Sequence, residues 1–160
     1  MTRSTVESHA AEVRKVAELA SGVRIGMLTT IDDAGHLVSR PMARPEVEFD
    51  GDLWFFAERD SRKVAHIVAH PEVSVTLTSK DTWVSLYGTA ELVDDPRKAH
   101  DLWNGWVEAW LPQGPEDPNV VLVKVTAMSG EYWDSPGGRI ASLLSLAKAR
   151  QAGEHGVVHL

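Results

Sequence analysis

Short β-rich segments separated by compact turns constrain the fold of this chain more than any other feature of its sequence. Residues 23–31 and 36–44 flank a turn of composition Asp-Asp-Ala-Gly, and residues 72–79 and 82–93 flank a Lys-Asp turn. Two such pairs are predicted to be β-hairpins. The short intervals between strands favour an antiparallel sheet forming a small barrel over a doubly wound sheet.

The remaining segments complete an α+β pattern of about seven strands with a few peripheral helices. Further strands are predicted over 53–57, 120–126 and 130–134, and helices over 5–20, 62–70, 95–111 and 139–150. The sequence has no repeat or linker, which predicts one domain over residues 1–150 with a loose tail over 151–160. Gly88, inside the strand over 82–93, indicates a bulge or a close approach of two backbone segments.

Composition excludes several classes of protein. A chain of 160 residues with 43% hydrophobic and 24% charged residues is globular rather than disordered. Its formal net charge of −7 argues against a nucleic-acid or anionic-membrane partner. The absence of cysteine excludes a disulfide framework, a thiolate nucleophile and an Fe–S cluster. No apolar run reaches a transmembrane length, so we expect a cytoplasmic protein.

The first of two candidate basic sites is Ser61-Arg62-Lys63, at the start of the second predicted helix. Two cations in a first turn lie unfavourably at the positive end of the helix dipole, whereas a bound anion would reverse that effect. Free N–H groups, a hydroxyl and two cations together are typical of a phosphate site. The alternative is a solvated helix face, because Arg62, His66 and His70 follow an i, i+4 spacing.

The second candidate is the segment 39–45, Ser-Arg-Pro-Met-Ala-Arg-Pro, whose two prolines indicate a strand edge, a bulge or a strand end. Arg40 and Arg44 are four residues apart, so an extended chain would place both on one face as a local basic patch. An ordinary solvent-facing edge is an equally good interpretation of this segment alone.

Tryptophan accounts for six of the eleven aromatic residues. Trp103, Trp106 and Trp110 follow an i, i+3, i+7 spacing and would form one face of a helix, which favours core packing or a subunit interface over ligand contact. Trp83 and Trp133 lie on predicted strands. Burial is the common reason for a tryptophan there, although contact with a flat ligand ring stays open.

Other chemistries have little support in the sequence. His66 and His70 have a helical ligand spacing but lack the acid of a zincin motif, so no metal site is predicted. The sequence contains no Gly-x-Ser-x-Gly elbow, Walker loop or Gly-x-Gly-x-x-Gly motif. This argues against an α/β-hydrolase, a P-loop enzyme and a Rossmann domain.

Taken in order, five segments of the chain resemble the pyridoxamine 5′-phosphate oxidase-like, FMN-binding split-barrel superfamily, and within it the general stress protein 26 branch. They are Ser39-Arg40-Pro41-Met42, Leu53-Trp54-Phe55-Phe56-Ala57, Ser61-Arg62-Lys63, Gly88-Thr89-Ala90-Glu91 and Glu131-Tyr132-Trp133-Asp134. Each is weak alone, but their order over residues 5–135 is specific. The resemblance implies an α+β fold of mainly antiparallel strands, a split β-barrel with peripheral helices.

The resemblance also implies an FMN site at a homodimer interface. The phosphate would be held by Arg40 and the turn over 61–63, and the backbone around 41–42 and 56–57 would line the isoalloxazine. Trp83 stands near the position where the oxidases place a flavin-contacting Gln, and Trp133 matches the Trp that reaches the flavin from the partner subunit. The implied cofactor-binding residues are Arg40, Pro41, Met42, Phe56, Ala57, Ser61, Arg62, Lys63, Trp83 and Trp133.

Two departures from the family pattern argue against vitamin B6 oxidation. Pyridoxamine phosphate oxidases follow the matching Trp with an Arg-Leu-His-x-Arg segment, whereas here Arg139 precedes Ile-Ala-Ser-Leu and the His and second Arg are missing. Their long phosphate-binding strand motif is also shortened here, to Arg40-Pro41-Met42.

The resemblance therefore implies an FMN-dependent oxidoreductase acting on an unidentified small molecule, with an electron donor such as NAD(P)H and with FAD as an alternative flavin. Three alternatives stay open: a flavin-binding stress protein without turnover, a deazaflavin (F420)-dependent reductase on the same fold, and a partner-binding protein whose pocket has decayed. F420 has a longer acidic tail, for which Arg44 and Arg24 are the extra candidate cations. No side chain is a convincing general acid or base, so no catalytic residue is assigned.

Overall fold

The computed structural model describes residues 3–134 and 154–159, with the side chains of residues 9–134. The helices in these ranges are α1 (Arg3–Ala20), α2 (Arg62–Ala69), α3 (Pro96–Leu102) and α4 (Gly105–Trp110). The strands are β1 (Ile25–Ile31), β2 (Leu37–Ala43), β3 (Asp52–Glu58), β4 (Glu72–Thr78), β5 (Thr82–Val93), β6 (Val120–Asp134) and β7 (Glu154–His159).

The described strands form one antiparallel sheet in the order β2-β1-β4-β5-β6-β3, and β7 pairs with the C-terminal part of β6. The strands at the two ends of this order, β2 and β3, approach each other, so the sheet curls into a half-barrel. The predicted α+β split-barrel fold of mainly antiparallel strands is confirmed. Both predicted hairpins are present, as β1–β2 and β4–β5.

The inner face of the sheet carries the main core. Its strands alternate in the way that a sheet covered on one side requires; β4, for example, buries Val73, Val75 and Leu77 while its intervening Ser and Thr side chains stay partly exposed. Helices α1 and α2 pack against this face through Val16 and Ile67. A second apolar cluster joins α3 and α4 to β3 and β6, which places α4 beside the end of β3.

Strand β6 is one long strand where the sequence predicts two, over 120–126 and 130–134. Its first half pairs with β3 and its second half with β7, while β5 pairs with it from Leu122 to Asp134. The register of β5 against β6 shifts between Tyr87 and Gly88. A Cβ on Gly88 would overlap the carbonyl oxygen of Thr126, so the predicted bulge and close backbone approach are both confirmed.

The predicted helix over 95–111 is wrong as a single helix, because the chain leaves helical geometry between α3 and α4. Asn104 lies in this gap and caps α4: its Oδ1 accepts a hydrogen bond from the N–H of Val107 at 2.9 Å. Asn is favoured at caps over helix interiors, and Gly105 is a poor interior helix residue. The gap explains why the i, i+3, i+7 spacing does not produce one face.

The three tryptophans of that segment consequently have different environments. Trp103 ends α3 and packs edge-on against Phe56, with ring centroids 5.0 Å apart. This confirms the packing role for Trp103. Trp106 and Trp110 lie on α4 with about two-fifths and half of their surface exposed, so they are not core residues of the described chain.

The predicted loose tail over 151–160 is wrong for residues 154–159, which form β7 against residues 129–134 of β6. β3 pairs with β6 only between Val120 and Thr126, so the rest of that edge has unpaired backbone groups that a further strand can satisfy. The predicted helix over 139–150 lies outside the described residues. The boundary of the single predicted domain stays a prediction.

Candidate functional site

A pocket of about 320 Å³ lies where β2, β3, the start of α2 and α4 meet. We call it the β2–α4 pocket. Its wall includes six of the ten residues that the sequence implicates in cofactor binding: Arg40, Pro41, Met42, Phe56, Ala57 and Lys63. They come from three separate segments, which the approach of the end strands β2 and β3 brings together.

The turn that joins β3 to α2 is fixed against the start of β6. The N–H of Arg59 donates to the carbonyl oxygen of Asn119 at 2.6 Å. The N–H of Asp60 donates to Oδ1 of Asn119 at 3.1 Å, and Nδ2 of Asn119 donates back to Oδ1 of Asp60 at 3.1 Å. The Arg59 side chain also pairs with Asp94. These contacts fix the direction in which the chain enters α2.

Ser61 occupies the N-cap position of α2 without capping the helix through its side chain. Its hydroxyl instead donates to the carbonyl oxygen of Glu58 at 2.6 Å. The first N–H groups of α2 therefore have no side-chain cap, at the helix end where an anion is favoured. Ser61 and the exposed Arg62 are outside the pocket wall but adjoin Lys63, which is part of it.

Arg40 is anchored on one side and open on the other. Its Nη1 donates to Oγ1 of Thr30 at 2.7 Å and to the carbonyl oxygen of Leu28 at 3.2 Å, both on the neighbouring strand β1. Its Nε and Nη2 have no hydrogen-bond partner in the part of the chain that the structure describes. Burial, and secondarily the charge of Arg62, lowers the pKa of Arg40. The guanidinium thus offers two donor nitrogens, with three N–H groups, beside another cation.

Lys63 completes a cluster of three cations with Arg40 and Arg62. Burial first, and then the charge of Arg40, lowers the pKa of Lys63, while Glu58 acts in the opposite direction. Within the described residues, none of the three cations forms an ion pair. Three cations with one neighbouring carboxylate, that of Glu58, still favour binding of an anion, because the anion would relieve their mutual repulsion and satisfy their open donors.

The opposite wall of the pocket is apolar and comes from α4. Val107 and Leu111 are buried, and Trp110, half exposed, completes this wall. The sequence predicts none of the three as site residues, and for Trp110 it favours core packing or a subunit interface. The break at Asn104-Gly105 is the signal that could have separated Trp110 from the Trp103 packing site. The pocket therefore has a cationic end and an apolar end.

Trp83 and Trp133 are outside this pocket. They lie opposite each other across β5 and β6, Trp83 half buried and Trp133 about two-fifths exposed. The pocket residue Glu58 pairs with Val120 at the start of β6. Trp133 lies thirteen residues further along the same strand, far from the pocket. The described chain thus brings the two tryptophans to each other but not to the pocket.

A larger cavity of about 740 Å³ lies at the C-terminal end of α1. Nη1 of Arg44 donates there to the carbonyl oxygens of Ala20 at 3.0 Å and Val23 at 2.7 Å, so Arg44 is buried at a helix end. β2 ends at Ala43, which is why Arg40 and Arg44 line different cavities; the predicted shared patch is wrong. The rim is electrically balanced, with three arginines and three glutamates: Arg14, Arg24, Arg44, Glu18, Glu46 and Glu48.

The histidine pair does not form a common face. His66 is buried and its Nδ1 lies 2.9 Å from Oγ1 of Thr30, whereas His70 ends α2 half buried. The alternative of a solvated stripe is therefore wrong for His66. Among the described residues no cluster of three metal-ligating side chains occurs. No described helix has the length and hydropathy needed to cross a bilayer.

Comparison with known proteins agrees with the fold. The family model described as pyridoxamine 5′-phosphate oxidase like matches residues 11–156. The chain belongs to this family. The resemblance read from the five motifs is thereby confirmed.

Individual relatives also support the general stress protein 26 branch. The general stress protein 26 from Bacillus anthracis is 28% identical, with 76% of this chain and 92% of that chain covered and a TM-score of 0.68. The general stress FMN/FAD binding protein from Xanthomonas citri is 29% identical, with 83% and 96% covered and a TM-score of 0.66. Protein bli-3 of Neurospora crassa is 27% identical over 91% of this chain and 77% of its own length.

Proposed function

We propose that this chain binds FMN in the β2–α4 pocket and serves as a flavin-dependent oxidoreductase for a small molecule. The observation that carries the proposal is the cluster of Arg40, Arg62 and Lys63, which forms no ion pair among the described residues and adjoins an apolar pocket. A phosphate monoester joined to a large apolar ring system has the matching distribution of charge and surface.

The residues present fit such a ligand. Nε and Nη2 of Arg40 together with the Lys63 ammonium would hold the phosphate, and Arg62 and the uncapped start of α2 would add positive potential. Met42, Phe56 and Ala57, all buried, would line the ring system. The relative from Xanthomonas citri is described as an FMN/FAD binding protein, which supports a flavin as the ligand.

When bound, the flavin would supply the redox chemistry by accepting or donating a hydride at N5 of its ring. This chain's part is binding, orientation and exclusion of water. The apolar wall of Val107, Trp110 and Leu111 serves that last purpose, because it covers one side of the pocket with hydrocarbon and aromatic surface. The proposed electron donor is NADH or NADPH.

We propose a homodimer in which a second copy completes the site. The outward face of the sheet carries apolar side chains that the described chain leaves exposed: Ile25, Met27, Tyr87 and Trp133. An apolar face of this kind is typical of an interface, and a two-fold axis would place the same patch of each copy on its partner. Trp133, remote along β6 from its own pocket, would then lie at the pocket of the other copy.

One observation favours FMN over F420. The extra cations that a longer acidic tail would require, Arg24 and Arg44, lie at the cavity at the end of α1. Arg44 is engaged with helix-end carbonyl groups, and Arg24 is paired with Glu46 at 3.9 Å. Neither extends the cationic end of the β2–α4 pocket.

The test is a parallel titration of the purified protein with FMN, FAD and F420, followed by rapid-mixing reduction of the bound flavin by NADH and NADPH. We expect FMN to bind, with reduction by one nicotinamide donor. No binding up to about 1 mM FMN, equivalent to less than about 4 kcal/mol of binding free energy, would overturn the flavin proposal. Binding without reduction by any donor would identify a flavin carrier instead of an enzyme.

A further inference from the structure

A buried hydrogen-bond chain stands behind the cationic end of the pocket. Oγ1 of Thr30 lies 2.7 Å from Nη1 of Arg40 and 2.9 Å from Nδ1 of His66. Thr30 has no exposed surface and His66 is 6% exposed. The three residues come from β1, β2 and α2, and neither Thr30 nor His66 belongs to any motif that the sequence resemblance uses.

Part of the direction of donation along this chain follows from the chemistry of its groups. A guanidinium N–H can only donate, so Oγ1 of Thr30 accepts from Arg40. The same hydroxyl bonds Nδ1 of His66, with the donor set by the imidazole tautomer. Thr30 is therefore an acceptor for the cation, and its bond to the imidazole holds the hydroxyl in place.

This chain connects the two sources of positive charge in the pocket. His66 follows Lys63 by three residues and Arg62 by four, so it lies on the same side of α2 one turn further along. Arg40 belongs to β2, which pairs with β1 but not with α2. Thr30 thus links the strand that carries Arg40, through one hydroxyl group, to the helix that carries Arg62 and Lys63.

We propose that Thr30, held in orientation by His66, is a positioning residue that fixes the guanidinium of Arg40 for capture of the ligand's phosphate group. This inference rests on the proposed flavin function and adds a residue that does not itself touch the ligand. Without the hydroxyl, Arg40 keeps one anchor, the carbonyl oxygen of Leu28 at 3.2 Å. The guanidinium can then rotate, and its two open donors lose their fixed direction toward the phosphate.

The experiment compares the affinities for FMN and for riboflavin, which lacks the phosphate, in Thr30→Val and Thr30→Ser. Valine keeps the shape of threonine without the hydroxyl, and serine keeps the hydroxyl. We expect Thr30→Val to weaken FMN binding about 10-fold, the effect of about 1.4 kcal/mol, and to leave riboflavin binding unchanged. Thr30→Ser is expected to restore FMN binding to within about 3-fold of the wild type.

Thr29→Val is the matched control. Thr29 is the adjacent residue on β1, and its hydroxyl bonds to Oγ of Ser39 at 2.7 Å on the exposed face, away from Arg40. It should leave the affinities for both flavins unchanged. A double-mutant cycle adds a second test: in the Arg40→Ala background, Thr30→Val should have no further effect on FMN affinity.

Equal losses of FMN and riboflavin affinity in Thr30→Val would show a general structural role and overturn the proposal, as would additive effects in the cycle. If Thr30→Val does not fold, His66→Leu and His66→Asn replace it: loss of the hydrogen-bond partner of Thr30 should lower FMN affinity selectively, and asparagine, which can donate or accept, should rescue it. Wild-type protein that binds neither flavin would overturn the proposed function and this inference with it. Wild-type FMN binding with unaffected variants would overturn this inference alone.

Discussion

Gly88 lies so close to Thr126 on the neighbouring strand that a Cβ at residue 88 would overlap the carbonyl oxygen of Thr126. The group in the way is backbone inside a paired strand, so it cannot move aside without breaking the β5–β6 ladder. Gly88→Ala is expected to lower the free energy of unfolding by about 1–3 kcal/mol or more, measured by urea denaturation.

Gly105→Ala is the control for that substitution. Gly105 begins α4, and a Cβ there meets no atom within 4 Å. Alanine at this position should be neutral or should stabilise the protein by up to about 1 kcal/mol. Equal unfolding free energies for Gly88→Ala and the wild type would show that β5 and β6 do not approach as closely as described.

Removal of either pocket cation should weaken the binding of FMN but not that of riboflavin. Arg40→Ala and Lys63→Ala are each expected to weaken FMN binding about 10- to 100-fold, because a hydrogen bond to a charged group contributes about 1.5–3 kcal/mol. Riboflavin affinity should stay within about 3-fold, because it has no phosphate to contact these cations. Lys80→Ala, on the exposed β4–β5 turn, is the control. Isothermal titration calorimetry of the wild type and the three variants measures the affinities for both flavins. Unchanged FMN affinity in both pocket variants would contradict the assignment of the phosphate site.

FMN affinity should fall at alkaline pH through Lys63. Its pKa lies below the ordinary 10.5, through burial and the charge of Arg40, and a bound phosphate raises it again because the anion favours the ammonium. Binding therefore takes up a proton between the two pKa values, and affinity decreases as pH rises across that window. Lys63→Arg, which keeps its charge, should remove this decline. A wild-type profile that matches the Lys63→Arg profile would exclude Lys63 as the titrating group.

The cap of α4 should influence both stability and the pocket. Asn104→Ala removes the acceptor for the N–H of Val107 and is expected to cost about 1 kcal/mol of unfolding free energy. Riboflavin affinity should also fall, since α4 supplies one wall of the pocket. Asp95→Ala removes the analogous cap of α3, whose acceptor bonds the N–H of Lys98 at 3.0 Å, and should lower stability alone. Equal effects of both variants on riboflavin would argue against α4 as a pocket wall.

The homodimer proposal predicts complementation between inactive chains. If Arg40 of one copy and Trp133 of the other form one site, Arg40→Ala and Trp133→Ala homodimers should both bind FMN weakly. After unfolding and refolding as a mixture, half of the dimers would be hybrids with one intact site each, which returns about a quarter of the high-affinity sites. Stoichiometric titration measures that fraction. No recovery in hybrids confirmed by mass spectrometry would contradict a shared site.

The sequence predicts the sheet well because its signals are local. The Asp-Asp-Ala-Gly turn is stabilised by residues within or next to it. Oδ1 of Asp32 accepts hydrogen bonds from the N–H groups of Ala34 and His36, and Gly35 adopts the positive φ of 80° that the turn requires. The motif Ser61-Arg62-Lys63 is predictable for the same reason. Two cations in the first turn of a predicted helix can be recognised from the sequence without knowledge of the tertiary structure.

The features that the sequence does not predict depend on partners distant in the chain. β7 exists because an edge of β6 is left unpaired, and nothing near residue 154 indicates which edge that is. In the sequence, Thr30 and His66 are an ordinary strand residue and an ordinary helix residue. Only the fold places Oγ1 of Thr30 2.9 Å from Nδ1 of His66. The place of Trp110 on the pocket wall is not predictable, because the periodicity continues across the break at Asn104, where a cap decides against one continuous helix.

The contacts of Asn119 with Arg59 and Asp60 have a kinetic consequence. They hold the turn before α2 in one conformation, so the cations that follow it are already oriented when a ligand arrives. The entropy of ordering that turn is lost during folding, and binding does not have to lose it again. Capture should then be a single bimolecular encounter without a loop-closing phase, whose rate constant decreases as added salt screens the attraction between cations and phosphate.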